Sequence, residues 1–223
     1  MATEITIPID GISLAGTLAV PDRAVGLILF AHGSGSSRHS PRNRHVAALF
    51  NERALGTLLF DLLTAEEERI DEIDATLRFD VEMLAERLVA ATDSILAMGP
   101  ARGLPIGYFG GSTGAAAALI AAARRPAQVA AVVSRGGRVD LAGASLPVVR
   151  APTLMIVGGA DVAVLGMNRE AAARMTAPHE IIVIPGATHL FEEPGALDEV
   201  ARLAGSWFLD QFTEPHVKAS RSG

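Results

Sequence analysis

The sequence predicts one α/β domain, a mostly parallel twisted sheet covered by helices on both faces with no cap domain. Short apolar runs of strand length alternate with longer runs of helical period, and such alternation implies a parallel sheet with helices packed over it. Several runs, Gly26–Ala31 among them, are apolar at every position, as expected of strands buried on both faces. The 223 residues are 49% hydrophobic and 20% charged, enough for a single substantial core. The domain is placed at residues 1–213, and the polar stretch 214–223 is expected to be a disordered tail.

Each element has its own reason. Thr3–Ile9 and Ile12–Val20 are β-rich and flank Asp10-Gly11, a hairpin signal. Gly26–Ala31 is the first predicted buried strand. Pro41–Ala54 is predicted helical, with Ser40 as N-cap and Pro41 at the first position, where its missing N–H has no partner to lose. Thr57–Phe60 is the next strand and ends at Asp61. Phe79–Met98 is predicted helical because Val81, Leu84, Leu88, Ala91 and Ile95 fall on one face. The strand Leu104–Phe109 runs through Gly110-Gly111-Ser112-Thr113-Gly114 into the Ala-rich helix that begins at Ala115. Val129–Val133 and Thr153–Val157 are strands, and the second ends in Gly158-Gly159. Arg169–Met175 is placed on a helix, Glu180–Ile184 is the last strand, and the helix Leu197–Phe212 carries the one tryptophan, Trp207.

Composition narrows the functional classes. A net charge of −6 argues against a nucleic-acid partner. With no cysteine, disulfides, thiolate metal sites and a cysteine nucleophile are excluded; the composition is compatible with the cytoplasm, the expected location. The N-terminus has no basic region followed by an apolar one, so no signal peptide is read there. Gly103–Ala123 is uncharged and nearly long enough to span a bilayer, but Pro105 and the central Gly and Ser/Thr cluster fit a buried strand and helix better; no membrane association is expected. The acidic run Glu66-Glu67-Glu68, with Asp71 and Glu72, is expected to be a solvated face. No cluster has metal-ligand spacing, so neither metal nor cofactor is expected.

The chemistry centres on Gly110-Gly111-Ser112-Thr113-Gly114. A G-x-S-x-G turn between strand and helix is a nucleophile elbow, presenting a serine hydroxyl at the end of a sheet. The same residues suit a serine that merely caps a buried helix. A serine nucleophile needs a base, and the base needs an acid to orient it. Asp161 and His189 follow the elbow in the order Ser, Asp, His, each just past the C-terminal end of a predicted strand, where open α/β sheets place their sites. Taken singly, Asp161 could be a helix cap and His189 a surface histidine. Asp140 is the reserve acid, and His39, His45, His179 and His216 are weaker candidates for the base. The loop His32-Gly33-Ser34-Gly35-Ser36-Ser37 supplies small residues around a substrate carbonyl. The backbone N–H groups of Ser34 and Thr113 are the expected oxyanion-hole donors, with His32 bracing the loop. The loop lacks the G-x-x-x-x-G-K-[ST] pattern of a phosphate cradle.

These stretches, with Arg38-His39-Ser40-Pro41-Arg42-Asn43, Asp61-Leu62-Leu63-Thr64 and His189-Leu190-Phe191-Glu192-Glu193-Pro194, resemble the α/β hydrolases over nearly the whole chain. Among them the chain is most similar to the small, lidless dienelactone-hydrolase-like group. The resemblance implies the α/β-hydrolase fold, the triad Ser112, Asp161 and His189, and ester-type hydrolysis. True dienelactone hydrolases use a cysteine nucleophile where this chain has Ser112, so a generic carboxylesterase is expected rather than a hydrolase of dienelactone. Some relatives are fused to phosphoribosyltransferase-like domains, and no such segment is seen in these 223 residues.

The predicted interval between the strand after the elbow and the strand carrying the acid, Ser134–Pro152, is too short for a helical cap. An open site and small or short-acyl ester substrates are expected. Arg38 and Arg135 are the candidates to clamp a substrate carboxylate or phosphate; the alternative for both is a solvated charge. The expected partner is a small-molecule ester, with a homodimer also admitted. A non-catalytic ligand-binding or regulatory protein on the same fold is the alternative function, and lactone hydrolysis, acyl transfer or perhydrolysis are variants of the enzyme reading.

Overall fold

A computed structural model describes residues 2–9 and 11–213. The expected hairpin residue Asp10 and the expected tail 214–223 lie outside the described residues. The strands are β1 (Ala2–Ile9), β2 (Ile12–Ala19), β3 (Gly26–Ala31), β4 (Leu55–Phe60), β5 (Ile106–Gly111), β6 (Val129–Arg135), β7 (Thr153–Gly158) and β8 (His179–Ile184). They form one eight-stranded sheet in the order β1-β2-β4-β3-β5-β6-β7-β8. The β1–β2 and β2–β4 pairs are antiparallel, and every other pair is parallel. All residues of β3, β4, β5 and β7 are buried, as their uninterrupted apolar runs require.

The helices are α1 (Pro41–Glu52), α2 (Ala65–Asp74), α3 (Val81–Ala97), α4 (Thr113–Arg124), α5 (Val162–Ala172) and α6 (Ala196–Thr213). On one face of the sheet α3 and α4 pack Leu84, Leu88, Ile95 and the alanines of α4 against Leu29, Tyr108 and Val132. On the other, α1 and α6 bring Phe50 and Phe208 against Phe30 and Phe109, with Phe30 and Phe109 ring centroids 5.0 Å apart. Between β6 and β7 the chain makes only 3-10 turns over Val139–Val148, and no cap domain is present.

Some boundaries differ from the sequence reading. The helix expected over Phe79–Met98 starts at Val81, because Asp80 accepts the Met83 N–H and a separate 3-10 turn, Leu77–Phe79, precedes it. The helix expected over Arg169–Met175 begins much earlier, at Val162, directly after Asp161. The acidic run is helix α2, whose Thr64–Glu67 capping box explains its start. Glu66, Glu68 and Glu72 are exposed as expected, but Asp71 is buried and held by Arg78, while Glu67 pairs with the buried Arg87.

The C-terminal ends of β3 and β5 are fitted together by backbone contact. A Cβ on Gly114 would lie 2.1 Å from the Ala31 carbonyl oxygen and 2.6 Å from that of His32. A Cβ on Gly110 would lie 2.5 Å from Ala115 Cα. Backbone cannot yield as a flexible side chain can, so Gly114→Ala is expected to destabilise the fold by about 1–3 kcal/mol. Gly166, inside α5, has nothing within 4 Å of its Cβ position, and Gly166→Ala is expected to stabilise by about 0.5–1 kcal/mol. Urea unfolding of both variants checks the contrast.

Candidate active site

Ser112 sits between β5 and α4 with φ 50° and ψ −124°, a conformation costly for a non-glycine residue. It persists because the flanking backbone is tied down. Its N–H donates to the Arg135 carbonyl at 3.4 Å, and its carbonyl accepts the Ala115 and Arg138 N–H groups at 3.1 and 3.0 Å. Its side chain makes no capping bond to α4, so the reading of Ser112 as a mere helix cap does not describe it. Gly33 closes over the turn, its Cβ position 2.9 Å from Ser112 Cβ.

Asp161 follows β7 and His189 lies in the loop after β8. That loop is seated on the end of β7: the Ala160 N–H donates to the Ala187 carbonyl at 2.9 Å, and the Gly159 N–H to that of Ile184 at 2.8 Å. Gly158 permits the approach, since a Cβ there would lie 2.3 Å from the Ala187 oxygen. The loop is closed on itself by the Thr188 N–H donating to Glu193 Oε1 at 3.0 Å and by the buried Phe191. The His189 Nδ1–H donates to Asp161 Oδ2 at 2.7 Å. A carboxylate only accepts, so this bond sets the tautomer and leaves Nε2 available. Asp161 also caps α5, its Oδ1 accepting the Val164 N–H at 3.4 Å; the capping reading and the pairing with His189 hold together.

Ser112 and His189 converge on residues 135–136. Arg135 accepts the Ser112 N–H, and the Gly136 Cβ position is 3.2 Å from the His189 carbonyl and 3.6 Å from its Nδ1. Asp140, the reserve acid, is instead held by Arg138, whose Nε and Nη2 donate to its two oxygens at 2.9 and 2.8 Å. His45 bonds Asp198 and His179 bonds the Ala177 carbonyl; His216 lies outside the described residues. Ser34 and Thr113 are neighbours, their hydroxyls 3.2 Å apart. Among the described residues neither backbone N–H is engaged by another backbone group, and Thr113 is the first residue of α4, where the helix dipole favours negative charge. A small cavity beside them is lined by Ser34, Ser36, Leu62, Leu84 and Thr113.

The sequence model of the dienelactone hydrolase family matches residues 56–211. The chain belongs to the dienelactone hydrolase family. A dienelactone hydrolase structure from Anabaena variabilis is 52% identical, covers 94% of this chain and 97% of its own, and superposes with a TM-score of 0.92. Two Mycobacterium tuberculosis proteins, from strains CDC 1551 and H37Rv, are 52% identical over 212 residues and carry the name of a candidate phosphoribosyl transferase. The chain covers 95% of itself in those matches but spans only 47% of the length of these relatives. Est1E from Butyrivibrio proteoclasticus, 16% identical with a TM-score of 0.76 and covering 93% of this chain and 98% of its own, shares the α/β-hydrolase fold.

In this dienelactone hydrolase family member a polar brace from the end of β4 holds the loop after β3, and sequence reasoning missed most of it. His32 Nε2 accepts the Leu62 N–H at 2.9 Å, and its Nδ1–H donates to the Gly33 carbonyl at 3.1 Å. Arg87 holds the Leu62 carbonyl at 2.6 Å. The Arg38 N–H donates to Asp61 Oδ1 at 2.8 Å, and its guanidinium pairs with Oδ2. Arg38, expected to clamp substrate, is thus committed to Asp61. Asp61 at a strand end was a visible signal, but its partner 23 residues earlier was not. Arg135 is the last residue of β6 rather than a residue beyond it. Among the described residues no group of three or more His, Asp or Glu side chains could hold a metal ion, and no helix is long and apolar enough to cross a membrane.

Burial pushes the His32 imidazole below its ordinary value, outweighing the opposing Gly33 carbonyl and Asp61 charge. The unfolded chain takes up this proton near pH 6.5 and the folded chain only at lower pH. The contribution of His32 to stability is therefore full above about pH 6.5 and declines as the pH falls from there toward the lowered folded value. Urea unfolding between about pH 7.5 and 5 is expected to show a steeper acid loss in the wild type than in His32→Asn. Equal slopes would contradict the neutral, bonded His32.

Proposed function

We propose that this hydrolase is a serine carboxylesterase that cleaves small or short-acyl esters through an acyl-enzyme. The observation that carries the reading is the 2.7 Å bond from His189 Nδ1–H to Asp161 Oδ2, anchored beside the Ser112 elbow. Ser112 Oγ attacks the ester carbonyl carbon as His189 Nε2 takes its proton. The carbonyl oxygen becomes an oxyanion facing the Ser34 and Thr113 N–H groups, each worth about 3–4 kcal/mol in the transition state. The bond to the alcohol oxygen then breaks, and His189 returns the proton to the leaving alcohol. Water repeats the cycle on acyl-Ser112: His189 takes its proton, the hydroxyl adds to the carbonyl, and Ser112 leaves with a proton from His189. Asp161 holds the imidazole in the required tautomer and stabilises the imidazolium. The serine in place of the cysteine of true dienelactone hydrolases favours a general carboxylesterase over dienelactone as the substrate.

Ser112→Ala is expected to fold like the wild type and to lower kcat on 4-nitrophenyl acetate by about 10⁴-fold or more. Asp161→Asn should lower it by about 10³–10⁴-fold, since an amide cannot hold the same tautomer. Near-wild-type turnover in Ser112→Ala would overturn the mechanism.

The missing cap supports an open pocket with no long acyl channel. Along a series of 4-nitrophenyl esters from acetate to dodecanoate, kcat/KM is expected to fall with chain length. A clear preference for the long chains would contradict the open-pocket reading.

A further inference from the structure

Arg135 ends β6 and shares a sheet face with Val133, toward α1 and α6. It pairs in register with Gly111, the residue before Ser112. Its guanidinium lies across that glycine, with Nη2 2.8 Å from the Gly111 Cβ position. Its Nη1 is buried and has no hydrogen-bond partner. Arg38, Arg78, Arg87, Arg125 and Arg138 each have a carboxylate within ion-pair distance; among the described residues Arg135 has none. The charge it feels is another cation, Arg42, and with burial as the larger cause this lowers its guanidinium to about 10, still charged at neutral pH. Arg42 bonds Glu192 at 3.1 Å through Nη1, but its own Nε is buried and unpartnered.

A half-buried guanidinium whose Nη1 is sealed from water without a partner is left under-satisfied, and a guanidinium fork matches carboxylate and phosphate oxygens. The side on which Arg135 lies also has meaning. Gly136, its neighbour, packs against His189, which returns a proton to the leaving alcohol. The helix bearing Thr113 packs on the opposite face of the sheet.

We propose that Arg135, with Arg42 beside it, binds an oxyanion, carboxylate or phosphate, carried by the alcohol part of the substrate. The proposal rests on the serine-esterase reading and names a substrate class for it. The substrate supplies the counter-ion that the protein lacks, next to the group that expels its alcohol.

The test is calorimetric binding to Ser112→Ala, which needs no turnover. The probes are 4-hydroxybenzoate, phenyl phosphate and neutral 4-hydroxybenzamide. At least one anion is expected to bind about 10-fold or more tightly than the amide, and the better anion identifies the group. Adding Arg135→Gln should remove that preference. Arg135→Met, which deletes the unpaired charge, should leave Tm unchanged or raise it by about 2–4 °C. No preference for either anion would overturn the proposal. So would a preference that survives Arg135→Gln, or one lost together with a fall in Tm in Arg135→Met. Turnover of 4-acetoxybenzamide by the wild type reports separately on the esterase reading, so either idea can fail without the other.

Discussion

At the top of the sheet, backbone meets backbone where β3 and β5 deliver their loops. Gly114 lies against the carbonyl oxygens of Ala31 and His32, Gly110 against Ala115, and Gly33 against Ser112 Cβ. This contact brings the N-terminus of α4 and the loop after β3 close enough for Ser34 and Thr113 to touch. It also holds Ser112 at φ 50°, a conformation worth about 1–3 kcal/mol of strain that only surrounding structure can maintain. A side chain at any of the three glycines would displace the serine, the two amides beside it, or both. The remaining candidate site residues are hung on this fixed point: the Arg135 carbonyl accepts the Ser112 N–H, and Gly136 packs against His189.

A second layer is polar and long-range. His32, Asp61, Leu62 and Arg87 connect the loop after β3 to α3 through side chain to backbone bonds. Buried polar groups are tolerated when each finds a partner, and this set meets the condition apart from the Nε of Arg38, the partner of Asp61, which is buried without one. Glu67 extends the brace to α2, where the Arg87 bond is the main cause holding its carboxyl below the ordinary range. Arg135 stands outside this pattern. A half-buried guanidinium with one nitrogen sealed and unpartnered, one residue pair from Ser112, is the kind of local cost that functional sites carry.

The parallel sheet, the two helical layers and the elbow were legible in the sequence because each rests on short-range signals: uninterrupted apolar runs, period 3.6, and glycines at a strand–helix turn. The order of Ser112, Asp161 and His189 was equally legible, since it needs only the strand ends. What was not legible depended on contacts between distant segments. The pairing of Arg38 with Asp61 spans 23 residues and two loops, so Arg38 read as a free clamp. Asp71 looked like part of a solvated run until Arg78 and the turn at Leu77–Phe79 enclosed it. The helix placed at Arg169–Met175 starts at Val162, directly after Asp161, as the capping reading of that residue implies; Asp161 bonds both the Val164 N–H and His189.

Membership of the dienelactone hydrolase family fixes the fold and a hydrolase ancestry, while the chemistry rests on whether Ser112 is nucleophilic. The most direct measurement is reaction of the purified chain with a fluorophosphonate, followed by intact-mass and peptide mass spectrometry. The account predicts one adduct per chain, on Ser112, formed far more slowly in His189→Ala. No adduct, an adduct on another serine, or unchanged labelling in His189→Ala would contradict it.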